Sequence, residues 1–444
     1  MTRPAGPALL LALALPMAGC TEAPDLAPLA ASLEPGTAGL GADRVPDTVA
    51  RAPFGRQIAA AVTDEPALRG SAAEIRAARA DKRAADGAFR PDISIGASAR
   101  REVFDSGTES SASPFVRVSQ LVYDAGAARA DQRGAEARVF ESTARQIETG
   151  SRVTLEAVEA YKGLSTARRL LAVARKNQRV LEDLADRIEE RVRSGAGSTA
   201  DSLTARSRLA DAETQRVDAR ARLDRAEATF RRLFGAVPDR LAPEVAAPPL
   251  PSDTADVLDQ SPRLRAATAA VKAAEADLAA ARARRWPGVE VGATGRESLS
   301  GGGTDVAFDL TLDYSLDSRG NLRAAIDAAE ARRDAAAADR DALRRDVREA
   351  LAFVRTDQAA GAARVAAARE AVDSNEASVA ATREQFRIGR RGIVDLLDAQ
   401  RDLVRAQETL IAAERERFLT DYAALALTGD ILDAFDITLP EGTR

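Results

Sequence analysis

Val306-Ala307-Phe308-Asp309-Leu310-Thr311-Leu312-Asp313-Tyr314-Ser315-Leu316 alternates apolar and polar residues without a break. Successive side chains of a β-strand point to opposite faces. One face of this stretch is therefore Val306, Phe308, Leu310, Leu312, Tyr314 and Leu316, and the other is Ala307, Asp309, Thr311, Asp313 and Ser315. An apolar face opposite a carboxylate-bearing one, over about the 9–11 residues a strand needs to cross a bilayer, predicts a spanning strand with its apolar face outward. A small soluble hairpin packed on helices is the competing reading.

A short strand, Val289, Val291 and Ala293, precedes it just after Pro287, and the glycine- and serine-rich stretch Ser298 to Thr304 is the expected loop between them. A weaker version of the pair occurs earlier: Ile93, Ile95 and Ala97 follow Pro91, and Val116, Val118 and Val122 are interrupted by Gln120, with Ser106 to Ser113 as the expected loop. Each half of the chain thus contributes one hairpin. Phe89 and Trp286 stand at the two helix-to-strand junctions, where an aromatic belt would meet one headgroup layer. Four strands cannot close a barrel. A spanning sheet needs every edge paired, and the smallest closed barrels have about eight strands, so several chains must share one barrel.

The duplication extends beyond the strands. Pro66 and Pro262 each open a helical stretch, and each is followed 25 residues later by another proline; Gly126 to Gly195 and Gly320 to Gly389 are both 69 residues. Asp201, Ala205, Leu209, Ala212 and Gly235 recur 194 positions later as Asp395, Ala399, Leu403, Ala406 and Gly429. A period this long excludes a solenoid and indicates two quasi-equivalent halves. Within the first long helix a seam runs through Val153, Ala157, Ala160, Leu164, Ala167, Leu171, Ala174, Gln178, Leu181, Ala185, Ile188 and Val192, in alternating steps of four and three. That 3.5-residue period predicts left-handed coiled-coil packing, and 69 helical residues make a rod of roughly 100 Å. Ser194-Gly195-Ala196-Gly197-Ser198-Thr199 and Gly389-Arg390-Arg391-Gly392 break the helices and start new ones, a reversal that glycine permits through φ > 0. The returning helices, about Thr199 to Leu233 and Ile393 to Leu427, are half as long. Pro238, Pro243, Pro248, Pro249 and Pro251 mark an extended linker between the halves.

The organisation read from these signals is a signal peptide at 1–19, an N-terminal lipid-anchored tether at 20–65, repeat 1 at 66–235, a proline-rich linker at 236–261, repeat 2 at 262–429 and a C-terminal tail at 430–444. Arg3, the apolar run Ala8 to Leu15 and Met17-Ala18-Gly19-Cys20 form the signal, whose apolar run is too short to span a bilayer. It resembles a bacterial lipoprotein signal, which implies lipidation at Cys20 and, with Thr21 following, sorting to the outer membrane; an ordinary secretory signal is the alternative.

Composition removes several functions. The chain has no histidine and one cysteine, so zinc sites, thiol catalysis and imidazole acid–base chemistry lack their residues. No metal or cofactor is expected, and no convergent polar site suggests an enzyme. Basic and acidic residues balance at 63 and 68, which leaves no nucleic-acid footprint.

Two copies of helix, hairpin, very long helix, glycine turn and half-length helix resemble the TolC family of outer-membrane channel-tunnels. Phe386-Arg387-Ile388-Gly389-Arg390-Arg391-Gly392-Ile393-Val394-Asp395-Leu396-Leu397-Asp398-Ala399-Gln400, with Leu403 and Ala406, is similar to that family's tunnel-tip motif. The resemblance implies an α+β membrane protein: a trimeric channel-tunnel with a 12-stranded β-barrel continued by an α-helical coiled-coil barrel. It also implies the role of exit duct in a tripartite efflux pump or type I secretion system, with a periplasmic adaptor and an inner-membrane transporter as partners.

On that resemblance Asp395 and Asp398 match the aspartates that ring the tunnel entrance, and their three-residue spacing puts them on one helix face. Arg391 matches the gate arginine, and Asp201 the first-half aspartate of the gate network. Phe386 stands where the gate has a tyrosine and Ala200 where a polar partner is expected, so the closed state would lean on an Arg391–Asp201 pairing. Gly195, Gly197, Gly389 and Gly392 would form the turns that meet the adaptor. For the aspartates the competing reading is solvated helix caps. For the whole chain the competitors are a periplasmic adaptor, which would carry one helical hairpin between β-rich halves, and a structural coiled-coil protein, which would lack the alternating strands.

Overall fold

A computed structural model describes residues 24–32, 47–104, 107–249, 258–297, 303–317 and 319–440. Cys20 with the signal segment, Ser106, Pro251 and most of the Ser298 to Thr304 stretch lie outside the described residues. The chain divides into two compact units: Ala78–Val139 and Ala270–Ala337 with the segment ending at Leu26, and Ala27–Ala77, Phe140–Ala269 and Ala338–Arg444.

The first unit holds one antiparallel sheet in the order β1 (Asp92–Phe104), β2 (Gly107–Tyr123), β3 (Gly288–Glu297), β4 (Thr304–Asp313). The ladders align Ile93, Val118, Ala293 and Phe308 in one row, Ile95, Val116, Gly295 and Val306 in the next, and Gln120, Val291 and Leu310 in a third. Because the side-chain period is two, the apolar residues of these rows fall on the same face, while a register shift between Leu121 and Tyr123 leaves Val122 out of the ladder. Phe308 is 84% and Ile95 81% exposed, so nothing among the described residues covers that face. The single polar intruder is accounted for: Gln120 Nε2 donates to the carbonyl of Phe89 at 3.3 Å, which satisfies part of its amide at the sheet margin. Trp286 is half exposed beside the start of β3, at the junction expected for it.

Two expectations about the strands are corrected. β4 ends at Asp313, where the chain leaves the ladder with β3, so Tyr314, Ser315 and Leu316 continue the alternation but not the strand. Gly107 to Ser113 is strand, not loop, because β1 continues to Phe104 and pairs with it down to Phe104↔Gly107. Glycine and serine composition suggested a loop, but a ladder is held by backbone hydrogen bonds and needs no apolar face once it leaves the apolar band.

The helices that enter and leave this sheet have matched lengths. Helices α1 (Ala27–Ser32), α2 (Thr48–Arg51), α3 (Pro53–Thr63) and α4 (Pro66–Asp86) precede it; α5 (Ala127–Arg193) and α8 (Asn321–Arg387) are 67 residues each, and α6 (Thr199–Phe234) and α9 (Ile393–Thr428) 36 each. Helix α7 (Pro262–Ala283) leads into the second hairpin, and α10 (Asp430–Ala434) ends the helical series. Each long helix is capped by an aspartate from the short segment between the preceding strand and the helix. Asp124 accepts from the N–H groups of Gly126 and Ala128 at 3.0 and 2.5 Å, and Asp317 from those of Leu322 and Arg323 at 3.0 Å. In the same unit α5 meets α7 through Ala130, Ala279 and Ala280, small enough for close approach, flanked by the ion pairs Arg138–Asp277 and Arg284–Asp131 at 2.6 and 2.7 Å.

The second unit has an aromatic core. Phe54, Tyr161, Phe230, Tyr422 and Phe435 are fully buried, with Phe54 edge-on to Tyr161 at 4.9 Å and Phe230 stacked on Phe234 at 4.1 Å. The segment read as a tether supplies Phe54, Ile58 and Val62 through α3, and the segment read as a tail supplies Ile431, Leu432 and Phe435, so both ends close the core. The proline-rich linker is strapped onto α5 and α9: Tyr161 and Tyr422 donate to the carbonyls of Ala242 and Val245 at 2.9 and 2.8 Å, and Lys162 pairs with Glu244 at 2.5 Å. Prolines keep this strap extended and donate nothing, so its carbonyls take hydrogen bonds from the helices instead.

The seam of α5 shifts by one residue partway along. Buried positions follow the expected spacing through Ala174, then continue at Asn177, Leu181, Leu184 and Ile188. Gln178 sits at the margin and donates to Glu182 at 2.7 Å. Asn177, not Gln178, is the inward polar residue, because it has a buried partner on α9.

Candidate functional site

The two turns that reverse the chain between long and short helices lie in the second unit and have the same backbone geometry. At the first, the N–H of Ala196 donates to the carbonyl of Arg191 at 2.8 Å and that of Gly195 to Val192 at 3.0 Å; at the second, Arg390 donates to Gln385 at 2.8 Å and Gly389 to Phe386 at 3.1 Å. This is the Schellman pattern that closes a helix C-terminus. It requires a left-handed residue, and Gly195 and Gly389 occupy it with φ of 77° and 76°.

The restarts differ. Ser198 caps α6 by accepting from the N–H of Ala200 at 3.1 Å, whereas Gly392 has no side chain to offer at the head of α9. There Asp395 reaches back and accepts from the Gly392 N–H at 3.1 Å, half of a capping box. Gly197 is closely packed: an added Cβ would lie 3.1 Å from Val192 Cγ2 and would push that side chain aside by a few tenths of an ångström.

Beneath the turns, Leu181, Leu184 and Ile188 of α5, Ala205 and Ala212 of α6, and Ile393, Leu396 and Leu397 of α9 form one apolar cluster, with Phe386 of α8 packed against it. Phe386 thus acts through its ring rather than a hydroxyl, and the Arg191 guanidinium lies 5.2 Å from its centroid. Arg191 was not singled out from the sequence; nothing local marks it.

The charged residues at the tip are only partly brought together. Asp395 is exposed and Asp398 half-buried on the same side of α9. Asp398 is matched by Arg401 at 3.0 Å and by Arg208 of α6 at 3.8 Å, two partners that sequence reading missed. Among the described residues no cation is paired with Asp395, whose one hydrogen bond is to the Gly392 N–H, so it is the stronger of the two as a source of negative potential. Arg391 is exposed, and among the described residues no ion pair joins it to Asp201 within the chain. Arg387 donates to Glu384 at 2.6 and 3.0 Å, and that hydrogen bond holds the Glu384 carboxyl below its usual range. Ile388 and Val394, on either side of the second turn, are about half exposed and form an apolar margin. Among the described residues no group of three or more His, Cys, Asp or Glu could hold a metal ion, and no helix is long and apolar enough to cross a membrane.

An amphipathic four-stranded sheet joined to paired long helices with a closed glycine tip defines an outer-membrane channel-tunnel. The sequence model of the outer membrane efflux protein family matches residues 58–236 and 255–428, and the chain belongs to that family. It is similar to the outer membrane efflux protein BepC of Brucella suis, 26% identical over 71% of each chain. It is also similar to the alkaline protease secretion protein AprF of Pseudomonas aeruginosa, 27% identical over 64% of this chain and 62% of that one. Among solved structures, the outer membrane protein VceC from Vibrio cholerae superposes with a TM-score of 0.76 at 20% identity, over 84% of this chain and 95% of that one.

Proposed function

We infer that this protein is the outer-membrane exit duct through which a tripartite efflux pump or a type I secretion system discharges its cargo, with the sheet in the outer membrane and the helices in the periplasm. The observation that carries the reading is the sheet: its apolar face has no partner among the described residues, and its edge strands β1 and β4 are each paired on one side only. Neither can persist in lipid. Open edges leave backbone N–H and C=O groups unsatisfied, at several kcal/mol each in a hydrocarbon medium (about 2–7 kcal/mol per group). Three chains supplying four strands each close a 12-stranded barrel, and twelve helices then enclose a tunnel. An adaptor or a periplasmic coiled coil has no use for such a sheet.

Three finer assignments follow from this frame. The glycine turns, with Ile388 and Val394 as an apolar margin, are the surface offered to a periplasmic adaptor that links the duct to an inner-membrane transporter. Asp395 and Asp398 from three chains ring the tunnel entrance, and Arg391, Asp201 and Phe386 belong to its gate. Cys20 carries a lipid that anchors the mature N-terminus; the carbonyl of Pro24, four residues on, accepts from Arg133 at 3.0 Å near the start of α5, consistent with a short leash to the headgroup layer.

Chemical cross-linking of intact cells followed by membrane fractionation tests the reading. A trimer in the outer-membrane fraction is expected. A monomer in the periplasm, or a protein in the inner membrane, would overturn it.

A further inference from the structure

The polar face of the sheet carries charge of opposite sign in two adjoining zones, beyond which the β1–β2 ladder runs on through Arg100↔Ser111 and Glu102↔Glu109. Beginning at the helix junctions, the rows are Gly288↔Asp313, then Leu121↔Glu290↔Thr311, then Asp92↔Ser119↔Gly292↔Asp309. These three rows contain four carboxylates and no basic residue. The next two rows towards the hairpin turns are Ser94↔Arg117↔Thr294↔Ala307 and Gly96↔Phe115↔Arg296↔Asp305, two arginines against one aspartate.

Distance decides whether the two zones can act separately. Rows on one face are two residues apart, so the centres of the zones are separated by about 17 Å at roughly 3.4 Å per residue. The screening length at physiological salt is only about 8 Å. The rows of Asp92 and Asp309 and of Arg117 adjoin at about 7 Å and offset each other in part, whereas Glu290 and Asp313 lie beyond the screening length from both arginines and keep their own potential.

The key arginine is also held in place. Phe115 leans over Gly96, where an added Cβ would come within 2.6 Å of its ring, and the Arg117 guanidinium stacks 5.8 Å from the centroid of that ring. The glycine provides the space that lets the ring lie along the wall, and the ring restrains the cation. Asp309 similarly lies over Gly292, leaving no room for a side chain there.

We propose that this face is an electrically polarised bore in which Asp92, Glu290, Asp309 and Asp313 near the helices, and Arg117 and Arg296 in the two rows beyond them, determine charge specificity. The carboxylate zone concentrates cationic groups that arrive along the helical tunnel. The arginine zone raises the barrier to cations and lowers it for anions, equally in both directions, so the wall sorts cargo by charge without setting the direction of flow. This rests on the reading of the apolar face as the lipid-facing one.

Single cysteines introduced by Thr311→Cys, Ala307→Cys and Leu310→Cys, in the outer membranes of intact cells, separate the two claims. The probes are a cationic trimethylammonium-ethyl and an anionic sulfonato-ethyl methanethiosulfonate, with reaction at Cys20 subtracted by means of the parent protein. Leu310→Cys, on the apolar face, is expected to be protected from both. The cation-to-anion rate ratio at Thr311→Cys should exceed that at Ala307→Cys by about tenfold, as potentials of a few kT require. Adding Arg117→Gln should raise the ratio at Ala307→Cys, and 1 M salt, where screening falls to about 3 Å, should bring the two sites together without any further substitution. Equal ratios at low salt with Leu310→Cys protected would overturn the polarised bore alone. Free reaction at Leu310→Cys would overturn the face assignment and the barrel with it.

Discussion

Gln400 of α9 donates from Nε2 to Oδ1 of Asn177 on α5 at 3.2 Å, and both side chains are buried, 7% and 6% exposed. The bond joins the second half of the chain to the first across the helical seam. A lone polar pair in an apolar seam adds little net stability but penalises every register in which the two groups miss each other.

Gln400→Ala should therefore destabilise the protein by about 1–3 kcal/mol, the cost of leaving the Asn177 amide buried and unpaired. Changing both residues to leucine should recover most of that loss in thermal unfolding. A double variant as unstable as the single one would mean the two side chains are not energetic partners.

Lys162 and Glu244 form the second buried connection, and their removal should be harsher. The Lys162 side chain is 6% exposed and lies 4.7 Å over the Phe418 ring, while the second Glu244 oxygen, Oε1, is buried without a hydrogen bond. Lys162→Ala would strand a carboxylate, at about 3–5 kcal/mol for a broken buried pair. Lys162→Met combined with Glu244→Gln should restore much of the unfolding midpoint, since no charge then remains uncompensated.

Stability should fall as pH rises towards neutrality because of Asp433. Burial, reinforced by Asp430 and Asp436, pushes its carboxyl up to about 7 from an ordinary value of 3.8. Between those values the folded chain binds a proton that the unfolded chain has released, so the contribution is full below 3.8, declines through the interval and levels off above about 7. Comparing thermal midpoints of the wild type and Asp433→Asn at pH 5 and pH 8 should show the variant gaining on the wild type at the higher pH. Parallel pH profiles would exclude Asp433 as the source.

Gly389 has φ of 76° and open space where a Cβ would stand, so a substitution there meets backbone strain and nothing else. Gly389→Ala should cost about 1–2 kcal/mol, the left-handed penalty for an L-residue, and Gly389→Asn less. If the turn is an adaptor surface, Gly389→Trp should reduce transport far more than it reduces assembly. Normal transport with tryptophan at both Gly195 and Gly389 would remove the docking assignment.

At the tunnel entrance, Asp395→Ala should lower cation selectivity in planar-bilayer recordings more than Asp398→Ala, because Arg401 and Arg208 already offset Asp398. The folding cost should stay within about 0.5–2 kcal/mol, the worth of a cap. Arg391→Ser should raise conductance. Unchanged selectivity in the double alanine variant would show that these carboxylates do not line the pore.

The strand alternation from Val306 to Asp313, the matched glycines at 195 and 389 and the paired helix lengths could all be read from the chain, because each rests on a local rule; the alternation runs on to Leu316, but the strand does not. A strand repeats every two residues, a seam every 3.5, and a Schellman turn needs a left-handed residue at one position. The same rules failed where composition stood in for pairing: Gly107 to Ser113 has the look of a loop but is held by the ladder to β1.

What the sequence by itself determined is the set of elements and their order, which follow from periodicity, and counting strands against closure gave the expectation of more than one chain. Only the tertiary structure decided that Asn177 rather than Gln178 faces inward, that α3 and α10 close the core, that Asp398 is offset by Arg208, and that the sheet's polar face separates Arg117 and Arg296 from four carboxylates. Each of these joins residues distant in the chain, whose approach is set by how helices pack and strands register. No local preference carries that information.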